Sequence, residues 1–139
     1  KFNKKFKLID ESYNANPLSM SSAIKNVSQY KRQGNFKKIA FFGDMLELGN
    51  KTKRLHKELS KVINTSDIDK VFVYGKHIKE TFNLLSKSKR GKVFNNLKEA
   101  SNHLSKFVNN NDLLVVKGSN ATGLNQFSKN IKKGYISAI

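Results

Sequence analysis

Short, mainly apolar runs alternate with amphipathic stretches five times along the chain. The runs cover residues 6–10, 38–43, 70–75, 92–95 and 112–118, and each of them ends on a polar residue or a glycine. Strands that alternate with helices in this way are typical of βαβ units, whose strands form a mostly parallel sheet with helices on both faces. The pattern therefore predicts an α/β fold, a Rossmann-like domain of three layers with about five to six strands.

The stretches between these runs carry apolar residues at helical spacing. The first begins with Asn16, which suits a helix cap, and Pro17, which suits the first helical position, and Gly34 marks its expected end. Residues 135–139 are predicted to form a short extra strand or an unpaired tail. The remaining helices are predicted at residues 51–63, around 78–85, at 97–108 and from about residue 122.

The length and composition fit one soluble domain. With 139 residues, 37% of them hydrophobic, the chain can close a single core, so we assign residues 1–139 to one domain. The chain has no cysteine, which is compatible with a reducing cytoplasm. No apolar run approaches the ~20 residues that a membrane helix needs, and no segment has the order of a secretory signal. We therefore expect a cytoplasmic protein that does not insert into a membrane.

Basic residues outnumber acidic residues by 27 to 10, which gives a formal net charge of +17. Such a charge suggests a polyanionic partner, and a basic α/β nucleic-acid-binding module is one alternative. However, only Arg32, Arg54 and Arg90 are arginines, and the lysines are scattered along every segment. Nucleic-acid sites favour arginine forks and continuous basic tracks. The charge pattern therefore favours a solvated lysine-rich surface over a nucleic-acid site.

Polar segments follow three of the predicted strands, at residues 10–17, 43–49 and 117–120. Because the carboxyl ends of parallel strands meet at one edge of a sheet, we expect these segments to converge there. They offer carboxylates for ribose hydroxyls or an ammonium group, amides for polar ligands, and Lys117 for a carboxylate or phosphate. The sequence therefore predicts a ligand site at this edge.

Each of these residues also has a purely structural interpretation. Asn14 and Asn16 suit an Asx turn and a helix cap, and for Asn16 capping and ligand binding are equally compatible with its position. Asp44 suits a cap or a surface charge, and Lys117 could be one of many solvated lysines.

Motifs of several other functional classes are missing from the sequence. His56, His77 and His103 do not show metal-ligand spacing, so no metal site is predicted on this domain. Neither a phosphate-binding P-loop, nor a dinucleotide fingerprint, nor a serine nucleophile elbow occurs. We therefore do not expect a self-contained nucleotide hydrolase, a dinucleotide-binding domain or an α/β-hydrolase.

Three motifs resemble those of the Mur ligase family. They are LIDESYNANP at residues 8–17, FGDMLELG at 42–49 with His56 downstream, and VKGS at 116–119. Their order, over nearly the whole chain, is similar to the C-terminal domain of the members that add D-alanyl-D-alanine to UDP-N-acetylmuramoyl-tripeptide during peptidoglycan precursor synthesis. A close alternative is the same domain of another Mur or folylpolyglutamate-type ligase, whose opening motifs carry a histidine near the proline.

The resemblance implies an ATP-dependent ligase with three domains, of which this chain is the third. The UDP-substrate domain and the central ATPase domain, with most of the Mg²⁺ ligands, would then lie outside the sequence. The third domain is expected to close over ATP and position the dipeptide. We therefore expect the isolated chain to be inactive and the complete enzyme to be a monomer.

The resemblance also implies two groups of site residues, with no catalytic residue on this domain alone. Glu11 stands where the family usually has a second aspartate, and Asn120 where many relatives have arginine. The ATP-binding group is Asp10, Glu11, Asn14 and Asn16. The substrate-binding group is Asp44 and Glu47 for the dipeptide ammonium, and Lys117 and Ser119 for its carboxylate or the transferred phosphoryl group.

Overall fold

The computed structural model describes residues 4–32, 34–134 and 137–138, in which strands and helices alternate. None of the helices in these ranges is both long and apolar enough to cross a membrane. The strands are β1 (Lys7–Glu11), β2 (Lys38–Gly43), β3 (Lys70–Tyr74), β4 (Arg90–Phe94), β5 (Leu113–Lys117) and β6 (Ser137–Ala138). The helices are α1 (Pro17–Gln29), α2 (Thr52–Asn64), α3 (Ile78–Phe82), α4 (Leu97–Phe107) and α5 (Leu124–Gly134).

The strands form one sheet in the order β4-β3-β2-β5-β1-β6. Every neighbouring pair in this sheet is parallel. Strand β5 therefore lies between β2 and β1, and Lys117 is level with Phe42 on one side and Glu11 on the other. This arrangement confirms the predicted α/β class with a parallel sheet.

Helices cover both faces of the sheet, as predicted for three layers. On one face, α4 and α5 pack their apolar side chains against Phe41, Phe72 and Phe94 of the sheet. On the other face, α1, α2 and α3 pack against a second cluster that includes Phe42, Val73 and Val115. Alternate residues of each strand thus serve opposite layers, because successive side chains of a strand point to opposite faces.

The helix that follows β2 and the helix that follows β5 lie on opposite faces of the sheet. In open α/β sheets, such a change of face leaves a crevice at the carboxyl ends of the two strands, where ligands bind. In this domain the crevice lies between the loops that begin at Gly43 and Gly118.

Some element ends differ from the predicted ones. Helix α1 ends at Gln29 and not near Gly34, because the chain turns extended at Tyr30 and the Arg32 guanidinium binds Asp67 and Asp69. Helix α3 stops at Phe82, and Leu85 is buried beyond it. Of the predicted segment 135–139, residues 137 and 138 form β6 beside β1, and the others lie outside the described residues.

Candidate functional site

The three predicted polar segments meet at the carboxyl edge of the sheet. They follow β1, β2 and β5, which are neighbours, so the strand order places them side by side. Two glycines permit this close approach. A Cβ on Gly43 or Gly118 would lie 2.7 Å from Leu124 Cδ1, and a Cβ on Gly118 would also lie 3.2 Å from the Gly43 Cα. The predicted convergence of the segments is therefore present in the structure.

Lys117, the last residue of β5, lies at the centre of this edge. Its side chain is only 4% exposed, although it carries an ammonium group. Lys117 Nζ donates a hydrogen bond to the Asn14 carbonyl oxygen at 2.8 Å and forms an ion pair with Glu11 Oε1 at 3.2 Å. Both oxygens belong to the segment after β1, so Lys117 connects the central strand to that segment.

The Asp10 carboxylate is bound from two sides. Its Oδ1 accepts hydrogen bonds from the Ser12 backbone N–H and hydroxyl, and its Oδ2 lies 2.7 Å from Lys132 Nζ of α5. Partial burial by itself would raise the pKa of Asp10. The hydrogen bonds from Lys132 and Ser12 outweigh the burial, so the pKa is lowered and the carboxylate stays ionised.

The two asparagines of this segment have different surroundings. Asn16 caps α1, since its side chain accepts from the Ser19 backbone N–H at 2.8 Å and the Ser19 hydroxyl accepts from the Asn16 N–H at 3.0 Å. Of the two interpretations of Asn16, the structure shows the cap. Asn14 is exposed and uses its backbone carbonyl for Lys117.

Asp44, directly after β2, is buried and bound to the backbone. Its carboxylate accepts hydrogen bonds from the N–H groups of Lys76, His77 and Ile78 at 3.1, 2.9 and 2.7 Å, where α3 begins. Gly75 makes room for it, because a Cβ there would lie 2.4 Å from Asp44 Oδ1. The carboxylate thus faces the start of α3, and its predicted contact with the dipeptide ammonium stays a prediction.

Ser119 joins the loop after β5 to the loop after β2. Its backbone N–H donates to the Asp44 carbonyl at 3.1 Å, and its hydroxyl accepts from the Leu46 N–H at 3.1 Å. Glu47, in the same loop, is exposed and has a φ of 61°, which is unusual for a residue other than glycine. Backbone strain of this kind is common at ligand-binding loops.

His56 of α2 binds the backbone of the loop after β2. The ring is fully buried, its Nδ1 lies 2.7 Å from the Thr52 carbonyl, and its Nε2 accepts from the Met45 N–H at 3.0 Å. These partners fit a neutral ring protonated on Nδ1. Burial lowers the pKa of His56, and the Thr52 carbonyl and the Asp44 charge only partly oppose this effect.

The sequence reasoning missed Lys132 and Tyr13. Lys132 looks like any other lysine in a basic helix, so nothing in the sequence marks it as the partner of Asp10. Tyr13 entered the sequence prediction only as part of a motif, with no role of its own. In the structure Tyr13 is 66% exposed at this edge, and Leu18, five residues later, is 77% exposed. A large aromatic residue between polar loop residues is the signal that could have identified Tyr13.

The described residues show no candidate metal site, and a cavity lies away from the carboxyl edge. Among the described residues, His, Asp and Glu side chains do not gather in any group of three or more that could hold a metal ion. A cavity of about 630 Å³ opens at the opposite, amino edge of the sheet, where Lys5, Lys7, Lys31 and Tyr30 line it. These residues precede β1 and β2 or begin β1, so the cavity is separate from the carboxyl edge.

Known proteins are similar to this chain in both sequence and fold. Residues 1–120 match the family described as "Mur ligase, glutamate ligase domain". The chain is 32% identical over 120 residues to UDP-N-acetylmuramoyl-tripeptide–D-alanyl-D-alanine ligase of Rickettsia prowazekii, with 86% of this chain and 26% of that protein covered. It is 34% identical over 140 residues to the ligase of the same name from Buchnera aphidicola subsp. Baizongia pistaciae, with 97% and 28% covered.

A solved structure of MurF ligase from Thermotoga maritima in complex with ADP superimposes with a TM-score of 0.68 at 26% identity, covering 88% of this chain and 28% of that one. The chain spans about a quarter of the length of the curated relatives it matches. The family match covers most of the sequence, and the chain therefore belongs to the Mur ligase family.

Proposed function

We propose that this chain is the domain of an ATP-dependent ligase that closes over ATP and positions D-alanyl-D-alanine for addition to UDP-N-acetylmuramoyl-tripeptide. The printed names of the relatives from Rickettsia and Buchnera support this substrate pair, and the ADP complex of the Thermotoga relative supports a nucleotide. We further propose that the enzyme acts in the cytoplasm as a monomer and that this chain alone is inactive.

One observation carries the proposal. The three motif segments meet at the crevice where the covering helices change faces, between the carboxyl ends of β2 and β5. This is where open α/β sheets bind their ligands. The comparisons do not favour the alternative of a basic nucleic-acid-binding module, since the family that matches is a ligase family.

The proposed reaction has two steps. ATP transfers its terminal phosphoryl group to the carboxylate of the tripeptide, which gives an acyl phosphate and ADP. The amine of the dipeptide then attacks the acyl carbon, and the tetrahedral intermediate loses the amine proton and inorganic phosphate to leave the amide. A closing domain contributes by fixing the amine near the acyl carbon and by excluding water from an intermediate that hydrolyses readily.

The geometry suggests how the predicted residues divide this task. On the ATP side, Glu11 and Asn14 are accessible for ligand contacts, whereas Asp10 and Asn16 shape the segment through Lys132 and the α1 cap. On the dipeptide side, the exposed Glu47 is the better partner for an ammonium group, since the Asp44 carboxylate is bound to backbone N–H groups. The hydroxyl and N–H of Ser119 hold the loop that carries Glu47.

The Mg²⁺ that accompanies ATP is proposed to be held mainly by another domain of the enzyme. Three of the four candidate carboxylates of the described edge already have partners, because Asp10 binds Lys132, Glu11 binds Lys117 and Asp44 binds backbone N–H groups. The fourth, Glu47, is the proposed partner of the dipeptide ammonium. Bound together with ATP, the metal ion would neutralise charge on the transferred phosphoryl group.

The proposal is tested on the complete enzyme that contains this chain. Phosphate release is measured with ATP, Mg²⁺ and UDP-N-acetylmuramoyl-tripeptide, with and without D-alanyl-D-alanine. Phosphate release that requires the dipeptide is the expected result. Activity with a different amine would keep the ligase class and change the substrate, and absence of activity with every amine in a folded enzyme would refute the proposal.

A further inference from the structure

The motif assigned Lys117 to the carboxylate of the dipeptide or to the transferred phosphoryl group, but its surroundings indicate another role. A lysine whose side chain is 4% exposed, and whose ammonium group already has two oxygen partners, has little surface to offer a substrate. We propose, on the basis of the function proposed above, that Lys117 is a positioning residue. It sets the conformation of the ATP-side loop at residues 10–16 and does not contact the dipeptide.

The loop is held at three points along its length. Its start is fixed where Lys132 of α5 binds the Asp10 carboxylate at 2.7 Å. Its end is fixed where the Asn16 side chain and Ser19 form the reciprocal cap of α1. Lys117 supplies the contact between these ends, through the Glu11 carboxylate and the Asn14 carbonyl oxygen.

The residues between these anchors are those that a nucleotide can reach. Tyr13 is 66% exposed and Asn14 is exposed, while Ser12 between the anchors is buried. The Asn14 carbonyl that Lys117 binds belongs to the same residue as one of these exposed side chains. Lys117 therefore fixes the backbone that carries the Tyr13 and Asn14 side chains, and loss of its ammonium group acts on the ATP side of the site.

A Lys117 that binds the dipeptide and a Lys117 that positions the loop predict a raised KM for different substrates. If Lys117 bound the carboxylate of the dipeptide, its loss would raise the KM for D-alanyl-D-alanine. If it positions the loop, its loss raises the KM for ATP and leaves the KM for the dipeptide unchanged. The expected rise is about tenfold, as for the loss of one hydrogen bond to a charged group.

The test compares Lys117→Met with the unmodified full-length enzyme in steady-state assays that vary ATP and the dipeptide separately. Glu11→Gln removes the ion pair and keeps the Asn14 contact, so it should raise the KM for ATP less. Lys92→Met is the matched control, because Lys92 on β4 is exposed, forms a 3.7 Å ion pair with Glu99 and lies three strands away from β5 in the sheet. A raised KM for the dipeptide with an unchanged KM for ATP would overturn the proposal.

A second measurement does not depend on activity. Amide hydrogen exchange of the 139-residue chain should become faster at residues 12–16 in Lys117→Met, while the amides of β2 and β3 keep their protection. Unchanged exchange at residues 12–16 would also overturn the positioning role. If Lys117→Met loses protection everywhere, Glu11→Gln is measured in its place, and the same two outcomes decide. Because this readout needs no substrate, it separates failure of the inference from failure of the proposed ligase function.

Discussion

The buried polar side chains of the carboxyl edge bind the backbone of neighbouring segments. Asp44 binds three N–H groups at the start of α3, Ser119 binds the loop after β2, and Lys117 binds the carbonyl of Asn14. A buried polar group without a partner would cost about 1–3 kcal/mol. Each of these contacts therefore stabilises the fold and also fixes a loop of the candidate site.

Asp44→Ala should lower the free energy of unfolding by about 1–3 kcal/mol, because three backbone N–H groups, one buried and two partly buried, lose a charged acceptor. Urea unfolding of the two proteins gives this difference. Glu47→Gln, an exposed change in the same loop, is the control and should stay within about 0.5 kcal/mol. Equal stabilities of Asp44→Ala and the unmodified protein would show that water can replace the carboxylate.

His56 should make the protein less stable below neutral pH. In the folded state its pKa is lowered from the ordinary value of 6.5, chiefly by burial. Just below pH 6.5 the unfolded chain therefore binds a proton at His56 that the folded chain does not bind. The stabilisation is present above pH 6.5 and is lost as the pH falls through the lowered pKa. The groups that face the ring include Asp44, His77 and Glu80.

Urea unfolding between pH 8 and pH 5 measures this loss. The free energy of unfolding should be nearly constant at the upper end and decline towards the lower end, and His56→Gln should show a shallower decline. An identical decline in the variant would assign the effect to other groups.

Helix α1 illustrates what single elements contribute. Its start has the cap residue, the proline and the apolar face that the sequence predicts, whereas its end depends on Arg32 and the two aspartates before β3. Caps are local, because the N–H groups they bind lie within three residues. Helix ends without a local cap depend on distant partners, and such an end was predicted wrongly here.

Asn16→Ala should destabilise the chain by about 1 kcal/mol through loss of the α1 cap. Ser19→Ala removes the reciprocal bond, and the double variant should cost less than the sum of the two single changes because both act on one capping box. Thermal unfolding of the three variants measures these costs. Strict additivity would show that the two bonds act independently.

At the scale of the whole molecule, a network of charged side chains lies at the amino edge of the sheet, opposite the candidate site. It connects the segment after α1, the start of β2 and the segment before β3. Arg32 after α1 binds Asp67 and Asp69 before β3, and the fully buried Lys38 of β2 binds Asp67 at 2.9 Å. The hydrogen bonds from Arg32 and then Lys38 lower the pKa of Asp67 from 3.8 to about 2. Protonation of Asp67 therefore weakens its ion pairs with Arg32 and Lys38, whereas the ion pair of Arg32 with Asp69 at 2.9 Å does not depend on Asp67.

Acid should weaken this network. Because the pKa of Asp67 is lowered in the folded state, its contribution is present above about pH 4 and is lost as the pH falls through about 2. Asp67→Asn should flatten the acid unfolding curve in this range and lower the stability at neutral pH by about 1 kcal/mol or less, since the side chain is half exposed. Circular dichroism across the acid range gives the curves. An acid unfolding curve of Asp67→Asn that coincides with the curve of the unmodified protein would contradict the prediction.

The alternation of apolar runs and amphipathic stretches determined the fold class. It also determined most strand positions, because a strand that is buried on both faces of a parallel sheet needs a nearly continuous apolar run, whichever strands lie beside it. The placement of the candidate residues at one edge followed from the same rule, since each motif comes directly after a strand. Strand β2 was predicted with the bounds that the structure has.

Only the tertiary structure decided which atoms the charged residues bind. Lys117 meets the carbonyl of Asn14 across 103 positions of the chain, and Lys132 meets Asp10 across 122. In a sequence with a net charge of +17 these lysines resemble all the others. The sequence by itself therefore determined the architecture and the edge where the site lies, whereas the strand order and the packing of α5 decided the partners, because ion pairs and buried hydrogen bonds form between groups that only folding brings together.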